Sequence, residues 1–389
     1  MNILVAPNAF KGTLSAAKAA DAMAAGVARA LPDARVLRVP VADGGDGTLD
    51  VLLNATGGRA VPATVTGPLG HTVDAAWGVL GPPAEGVAFV EAARACGRAL
   101  LPEDALDPFV TTSRGVGELI RAALDAGCRR LITGVGGTAT NDGGVGMAQT
   151  LGARFLDSAG RELGRGGAEL LRLSRLDLRD LDARIAECDV VLASDVTNVL
   201  CGPTGAAHTY GGQKFPHEKP PAGALEQLDH ALARLDHVVR GQLGRGVGNL
   251  PCAGAGGGLG AGLIAFLGAR AVSGAGLVCD LVKLDAALTN AGLVLTGEGR
   301  LDWQTAFGKA PGIVARRAST KGVPVIGVGG GLGPGHEQLY GAGFTALGGV
   351  VHGAVTVEQA KANAGPLLTD ATERVVRQWS AARTSRAAS

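Results

Sequence analysis

Five stretches of this 389-residue chain set acidic, amide or basic side chains beside glycine directly after an apolar run. Asp43-Gly44-Gly45-Asp46-Gly47 places two carboxylates three residues apart on a backbone free to turn sharply, so both can face one pocket. Lys11 stands just beyond the run 2–6 (NILVA), Asp195 just beyond 189–193 (DVVLA), and Glu298, Arg300 and Asp302 follow 292–296 (GLVLT). The fifth stretch, Thr133 to Gly146 (TGVGGTATNDGGVG), follows the run RLIT. Phosphoryl transfer uses this set of groups: backbone donors and a cation for phosphate oxygens, carboxylates for Mg²⁺, and a base near the acceptor hydroxyl. Such catalysis consists mostly of positioning and charge stabilisation. The competing interpretations are ordinary ones: turn aspartates at 43 and 46, a surface lysine at 11, an Asx-turn between Asp195 and Thr197, and a structural ion-pair network among Glu298, Arg300 and Asp302.

The Thr133–Gly146 stretch predicts an anion site. A strand runs into bare backbone and then a helix over 145–151, where close-approaching N–H groups and the helix N-terminus favour negative charge. It also supports a rival. Gly134-x-Gly136-x-x-Ala139 satisfies a dinucleotide fingerprint, and Asp157 closes the next short strand where a ribose-binding acid is expected. A nicotinamide-dependent dehydrogenase of a small hydroxy acid is therefore the alternative enzyme. Asn141-Asp142-Gly143-Gly144 interrupts the helix that this alternative needs. A Walker A sequence and the paired motifs of a protein kinase are absent, which excludes those two kinase classes.

Composition narrows the field. Hydrophobic residues make up 46% and charged residues 18%, enough for a large packed core. The net charge is +1 with no basic run, so neither a nucleic acid nor an anionic membrane is expected as a partner. The six cysteines are scattered without C-x-x-C or Cys/His ligand spacing, so a structural zinc is not expected. The seven histidines show no triad or ligand spacing. No apolar stretch reaches membrane-spanning length and no signal peptide opens the chain; a soluble, cytoplasmic protein is expected.

The elements that must hold these groups alternate as strand and helix at both ends of the chain. The run 2–6, a helix over 15–30 with Ser15 as cap, and a strand over 35–40 make a βαβ opening and imply a parallel sheet. Ligands of such sheets bind beyond the carboxyl ends of the strands. Residues 60–66 and 72–79 alternate at period two around Gly67-Pro68-Leu69-Gly70 and predict an antiparallel hairpin, with 87–91 as a third strand. Helices are expected over 113–126, 224–242, 309–320 and 357–380, and the tail 384–389 is expected to lack structure. The fold class that follows is α/β, in two α/β domains. Residues 1–65 and 285–389 form a discontinuous Rossmann-like parallel-sheet domain, and 66–284 form an inserted mixed α/β domain.

With these residues laid out, the chain resembles the bacterial glycerate kinase family of the first type. The segments that carry the resemblance are APNAFKGTLSA (6–16), VPVADGGDGT (39–48), GVGGTATNDGGVGM (134–147), ASDVTNVLCGPTGAA (193–207), GGGLGAGLIAFLGA (256–269) and TGEGRLDWQT (296–305). The resemblance implies phosphorylation of D-glycerate by ATP with Mg²⁺, at the 2-hydroxyl, in a cleft between two α/β domains. The chain departs from the family at Asn8-Ala9, at Asp46 where Glu is usual, and at Gly212 before Gln213-Lys214. Asp46 keeps the charge but shortens the reach.

Individual roles follow from residue chemistry rather than from the resemblance. Asp195 or Asp43 is expected to accept the proton of the glycerate hydroxyl. Lys11 and Arg300 are expected to neutralise the substrate carboxylate and the transferring phosphoryl group. Asn8, Asn198 and Lys214 complete the expected substrate contacts. Gly136, Gly137, Thr138, Thr140 and Asn141 are expected to hold the nucleotide phosphates, and Asp46 or Glu298 the Mg²⁺. Lys11, Asp43, Asn141, Asp195 and Glu298 are expected to meet in one site.

Overall fold

The protein is described by a computed structural model over residues 1–350 and 357–388. Within these residues the strands are β1 (Asn2–Val5), β2 (Arg35–Arg38), β3 (Arg59–Thr66), β4 (Thr72–Val79), β5 (Ala88–Glu91), β6 (Arg130–Gly134), β7 (Arg154–Leu156), β8 (Arg175–Asp177), β9 (Asp189–Ala193), β10 (Arg270–Val272), β11 (Leu293–Leu301), β12 (Val325–Leu332) and β13 (Ala346–Gly349). The chain divides into two units. One comprises Met1–Asp43, Asp50–Ala55 and Ala275–Ser389, and the other Gly44–Leu49 and Thr56–Gly274. The fold is α/β.

The first unit is built on a five-stranded sheet in the order β13-β12-β11-β1-β2, parallel at every pairing. Parallel strands are covered on both faces, which is why β1 and the first half of β11 read as unbroken apolar runs and are buried. Helix Ala16–Ala30 follows β1 and starts where the Ser15 side chain accepts the Lys18 amide. Its buried face (Ala19, Ala20, Met23, Val27) shares a core with Leu368, Ala371 and Val376 of helix Ala364–Ala388. Gly26 permits that packing, because a Cβ there would stand 2.4 Å from the Thr369 carbonyl. The helix expected over 357–380 is two, Val357–Ala362 and Ala364–Ala388. The tail expected to lack structure continues as helix to Ala388, and Ser389 lies outside the described residues.

The topology of this sheet directs attention to one place. The chain leaves β1 towards β2 on one side, while β11, β12 and β13 extend the sheet on the other. The β1/β11 junction is thus a topological switch point, where the following loops diverge and leave a crevice beyond the strand ends.

The second unit carries a six-stranded sheet in the order β10-β9-β6-β5-β4-β3. The pairs from β10 to β5 are parallel, and β4 runs antiparallel to both of its neighbours, β5 and β3. The hairpin expected from period-two alternation is β3–β4. All of β3 pairs with β4, so it lies whole in the second unit instead of being divided at residue 65. Because β5, β6, β9 and β10 run the same way, the groups that follow their carboxyl ends share one rim of this sheet. β7 and β8 form a separate antiparallel pair.

Candidate active site

In the first unit, the loop after β1 meets the second half of β11 at the switch point, and Glu298 and Arg300, expected in a loop, are part of that strand. The Asn8 amide N–H donates to the Gly297 carbonyl at 2.8 Å, which ties the β1 loop to β11. The Asn8 side chain is buried. Its Oδ1 accepts the Ala9 N–H at 2.7 Å, and its Nδ2 donates to Asp43 Oδ2 at 3.3 Å. Glu298 is also buried, and its Oε1 accepts the Thr305 hydroxyl at 2.7 Å. Burial pushes its carboxyl up to about 7, against the pull of Lys309, the Thr305 bond and Lys11, while Asp43 pushes it further up. Asn8, Lys11, Asp43 and Glu298 therefore lie in one electrostatic neighbourhood.

The ion-pair network that was the competing interpretation of Glu298, Arg300 and Asp302 takes a different form. Asp302 lies 4.0 Å from both Arg300 Nε and Lys309 Nζ, and its side chain caps the turn Trp303–Ala306 by accepting the Gln304 amide. Glu298 pairs with Thr305, and Arg300 is largely exposed.

In the second unit, the segment Gly44–Leu49 packs against the loop after β6, backbone on backbone. A Cβ on Gly134 would lie 2.4 Å from the Gly44 carbonyl, and one on Gly136 would lie 2.6 Å from Gly45 Cα. The Gly136 amide donates to the Gly44 carbonyl at 3.3 Å. Gly137 has φ +77°, and its missing Cβ leaves room for the Asp46 carboxylate, whose nearest oxygen would be 2.4 Å away. Much of the glycine in these two stretches thus serves loop-on-loop contact. Its outcome is an exposed carboxylate, Asp46, resting on a half-exposed glycine.

The rest of the Thr133–Gly146 stretch departs from expectation. Helix Val145–Thr150 is only six residues long, and its first amides are already engaged. The Asp142 carboxylate accepts Gly144 N at 3.1 Å, Gly146 N at 3.3 Å, and the Ser113 amide and hydroxyl at 2.8 Å each. Ser113 Oγ in turn accepts Met147 N at 3.0 Å. The anion at this helix end is therefore the chain's own aspartate. Burial raises the Asp142 pKa, and those donors oppose the rise.

Thr138, Thr140 and Asn141 are buried with Asp142, and neither polar atom of the Asn141 side-chain amide has a partner among the described residues. Lys214, expected on the substrate, is 4% exposed and donates to the Thr140 carbonyl at 2.6 Å. Burial draws its ammonium down to about 8. Of the residues expected on phosphate, Gly136 and Gly137 are on the rim, whereas Thr138, Thr140 and Asn141 lie beneath it, as does Lys214.

Asp195 follows β9, and its Oδ1 accepts the hydroxyl of Ser273, the residue after β10, at 2.7 Å. The bond runs between neighbouring strand ends. Asn198 is half-buried, and its Nδ2 donates to the Val199 carbonyl at 3.4 Å.

The dinucleotide reading is contradicted by the topology. No helix begins in the ten residues after β6, and β7 pairs with β8 instead of joining the parallel sheet. The Asp157 carboxylate is held by Arg161 at 3.0 Å and Arg172 at 2.8 Å, which leaves it poorly suited to a ribose.

Glu91, at the carboxyl end of β5, was not singled out from the sequence. It is buried, and its carboxylate accepts Gly47 N at 3.0 Å and Leu49 N at 2.8 Å. An available signal pointed to it: an acid closing the apolar run VAFVE, the same pattern that marked Asp195. Among the described residues no three His, Cys, Asp or Glu side chains are grouped as a metal site, and no helix is long and apolar enough to cross a membrane.

A family model described as the glycerate kinase family matches residues 3–380. The chain is 43% identical over 360 residues to a glycerate kinase of Bacillus subtilis (strain 168), covering 92% of this chain and 93% of that one. It is 42% identical over 360 residues to a glycerate 2-kinase of Escherichia coli (strain K12), again covering 92% and 93%. Its fold is similar to a crystal structure from Salmonella typhimurium LT2 described as a candidate glycerate kinase 2, with TM-score 0.80, 41% identity and 99% of each chain covered.

Proposed function

Because the chain belongs to the glycerate kinase family, and is therefore a kinase, we propose that it transfers the γ-phosphate of ATP to the 2-hydroxyl of D-glycerate, giving 2-phosphoglycerate. The observation that carries this reading is the 42% identity, over 92% of the chain, to a relative named glycerate 2-kinase. The glycerate oxygen attacks the γ-phosphorus, the bond to the ADP oxygen breaks, and the hydroxyl proton passes to a carboxylate.

Two carboxylates qualify as that base, Asp43 and Asp195, both at the carboxyl ends of parallel strands or just beyond. Lys11 and Arg300 supply positive charge for the substrate carboxylate and the phosphoryl oxygens, with Asn8 and Asn198 as polar contacts to the acid. Gly136 and Gly137 offer backbone to phosphate. Thr138, Thr140, Asn141 and Lys214 shape that loop from below, Lys214 by holding the Thr140 carbonyl. Mg²⁺ commonly takes only one or two protein carboxylates alongside phosphate oxygens, so one exposed acid beside a glycine loop suits it. Asp46, exposed against Gly137, or Glu298 would hold the ion, which supplies neutralisation of phosphate charge when bound.

A coupled assay for ADP with ATP, Mg²⁺ and a panel of small hydroxy acids tests the proposal. Turnover dependent on D-glycerate, with 2-phosphoglycerate as product, is expected. Turnover only with another acid, or 3-phosphoglycerate as product, would overturn it.

Gly137→Ala provides a local test. The substitution forces a side chain into the left-handed region and against the Asp46 carboxylate. A loss of about 1.4 kcal/mol in nucleotide binding corresponds to about a tenfold rise in the KM for ATP. The KM for glycerate should stay close to wild type, and initial rates at varied ATP and glycerate separate the two.

A further inference from the structure

We propose that Glu91 is a positioning residue that holds the Asp46 turn in register with the glycine-rich loop. The inference rests on reading Asp46 and Gly136–Gly137 as the metal and phosphate side of a kinase site. Glu91 is 3% exposed, at the end of β5. One carboxylate oxygen accepts Gly47 N at 3.0 Å and the other accepts Leu49 N at 2.8 Å, so the two bonds bracket the residues just after Asp46. Arg94 Nε lies 3.7 Å away. A buried carboxylate is costly unless its oxygens are hydrogen-bonded, and charge-assisted bonds to backbone amides are the strong kind.

The same short segment also grips the other loop. The Cys96 carbonyl accepts Ala139 N at 2.8 Å, Arg98 N donates to the Gly137 carbonyl at 2.9 Å, and Gly97 bridges to Thr138. Residues 91–98 therefore hold the Asp46 turn through the Glu91 carboxylate and the Gly137 backbone through main-chain bonds. Asp46 and Gly137 come into contact because both are fastened to this one segment. Glu91 lies beneath the turn, so it acts through the position of Asp46 and not on substrate.

Glu91→Gln keeps the shape but removes the charge and turns an amide group towards a backbone N–H. In the full-length enzyme, hydrogen exchange of the Gly47 and Leu49 amides should become at least about tenfold faster. The half-saturating Mg²⁺ concentration at saturating ATP should rise about 10- to 100-fold, the usual cost of losing an outer partner of a metal ligand. The KM for glycerate should stay within about twofold of wild type, since the change is confined to the metal and phosphate side. Glu91→Asp keeps the charge with a shorter reach and should fall between the two, and it carries the same measurements if the Gln variant does not fold.

Unchanged amide protection would overturn the inference. So would a fall in Tm with unchanged Mg²⁺ dependence, which would make Glu91 structural only. A wild-type enzyme without glycerate-dependent turnover would instead remove the proposed function, and the exchange measurement would still decide whether Glu91 holds the turn.

Discussion

Asparagine in place of the carboxylate that takes the glycerate proton is expected to lower kcat by a factor on the order of 10²–10⁴, the usual contribution of a positioned general base. Asp43→Asn and Asp195→Asn are the two variants to compare. Each can keep one bond made now, because an Asn Oδ1 can still accept from the Asn8 Nδ2 or the Ser273 hydroxyl that the aspartate engages. What is lost is the negative charge and the capacity to bind a proton. The base is the residue whose loss falls on kcat and removes the acid limb of the pH–rate profile. The other variant should affect mainly KM, as expected for a group that contributes charge to binding. If both variants keep near-normal turnover, neither residue is the base and the proton passes elsewhere.

Glu298→Gln is expected to make the protein more stable at pH 8 and less active. The Glu298 carboxyl stands at about 7 in the folded chain against an ordinary 4.5. The folded state therefore holds more protons than the unfolded state between those values. Stability contributed by this group is fully present below about pH 4.5 and is lost as pH rises through about 7. Above that, the fold carries a buried charge that Gln does not, while Gln still accepts the Thr305 hydroxyl through its Oε1. At 1.36 kcal/mol per unit, the gain at pH 8 is at most on the order of 3 kcal/mol, a net figure that already includes the attraction of Lys309 and Lys11. Thermal unfolding at pH 5 and pH 8 checks this, with a Tm difference at pH 5 only about a quarter of that at pH 8. An equal difference at both values would mean that the carboxyl does not titrate in this window. The loss of activity is expected because Gln removes a negative charge that attracts Lys309 and Lys11. A stabilised, impaired enzyme is the signature of a buried acid retained for its chemistry.

Which features were legible beforehand follows from the range of the forces involved. Apolar runs such as NILVA, DVVLA and GLVLT state their own burial, and period-two alternation states the β3–β4 hairpin. These patterns depend on neighbours a few residues away. Asp195, which follows such a run, could be placed beyond a strand end for the same reason, whereas Glu298, expected just past a strand ending at 296, lies inside β11, which continues to Leu301. Ser15 announced its helix because capping is a bond across three residues.

Which way a polar side chain turns was decided only by partners far along the chain. Asn141 and Lys214 looked like ligand contacts from their composition, yet Lys214 is held below the loop by a carbonyl 74 residues away. Glu91 looked like the end of a strand until the structure placed two amides over 40 residues earlier on its oxygens. The glycines of the two loops read as room for a phosphate, and tertiary packing gave most of that room to another loop. Chain order can state that backbone may approach something closely; what it approaches is settled when distant segments compete to fill the same space and to satisfy the same buried donors.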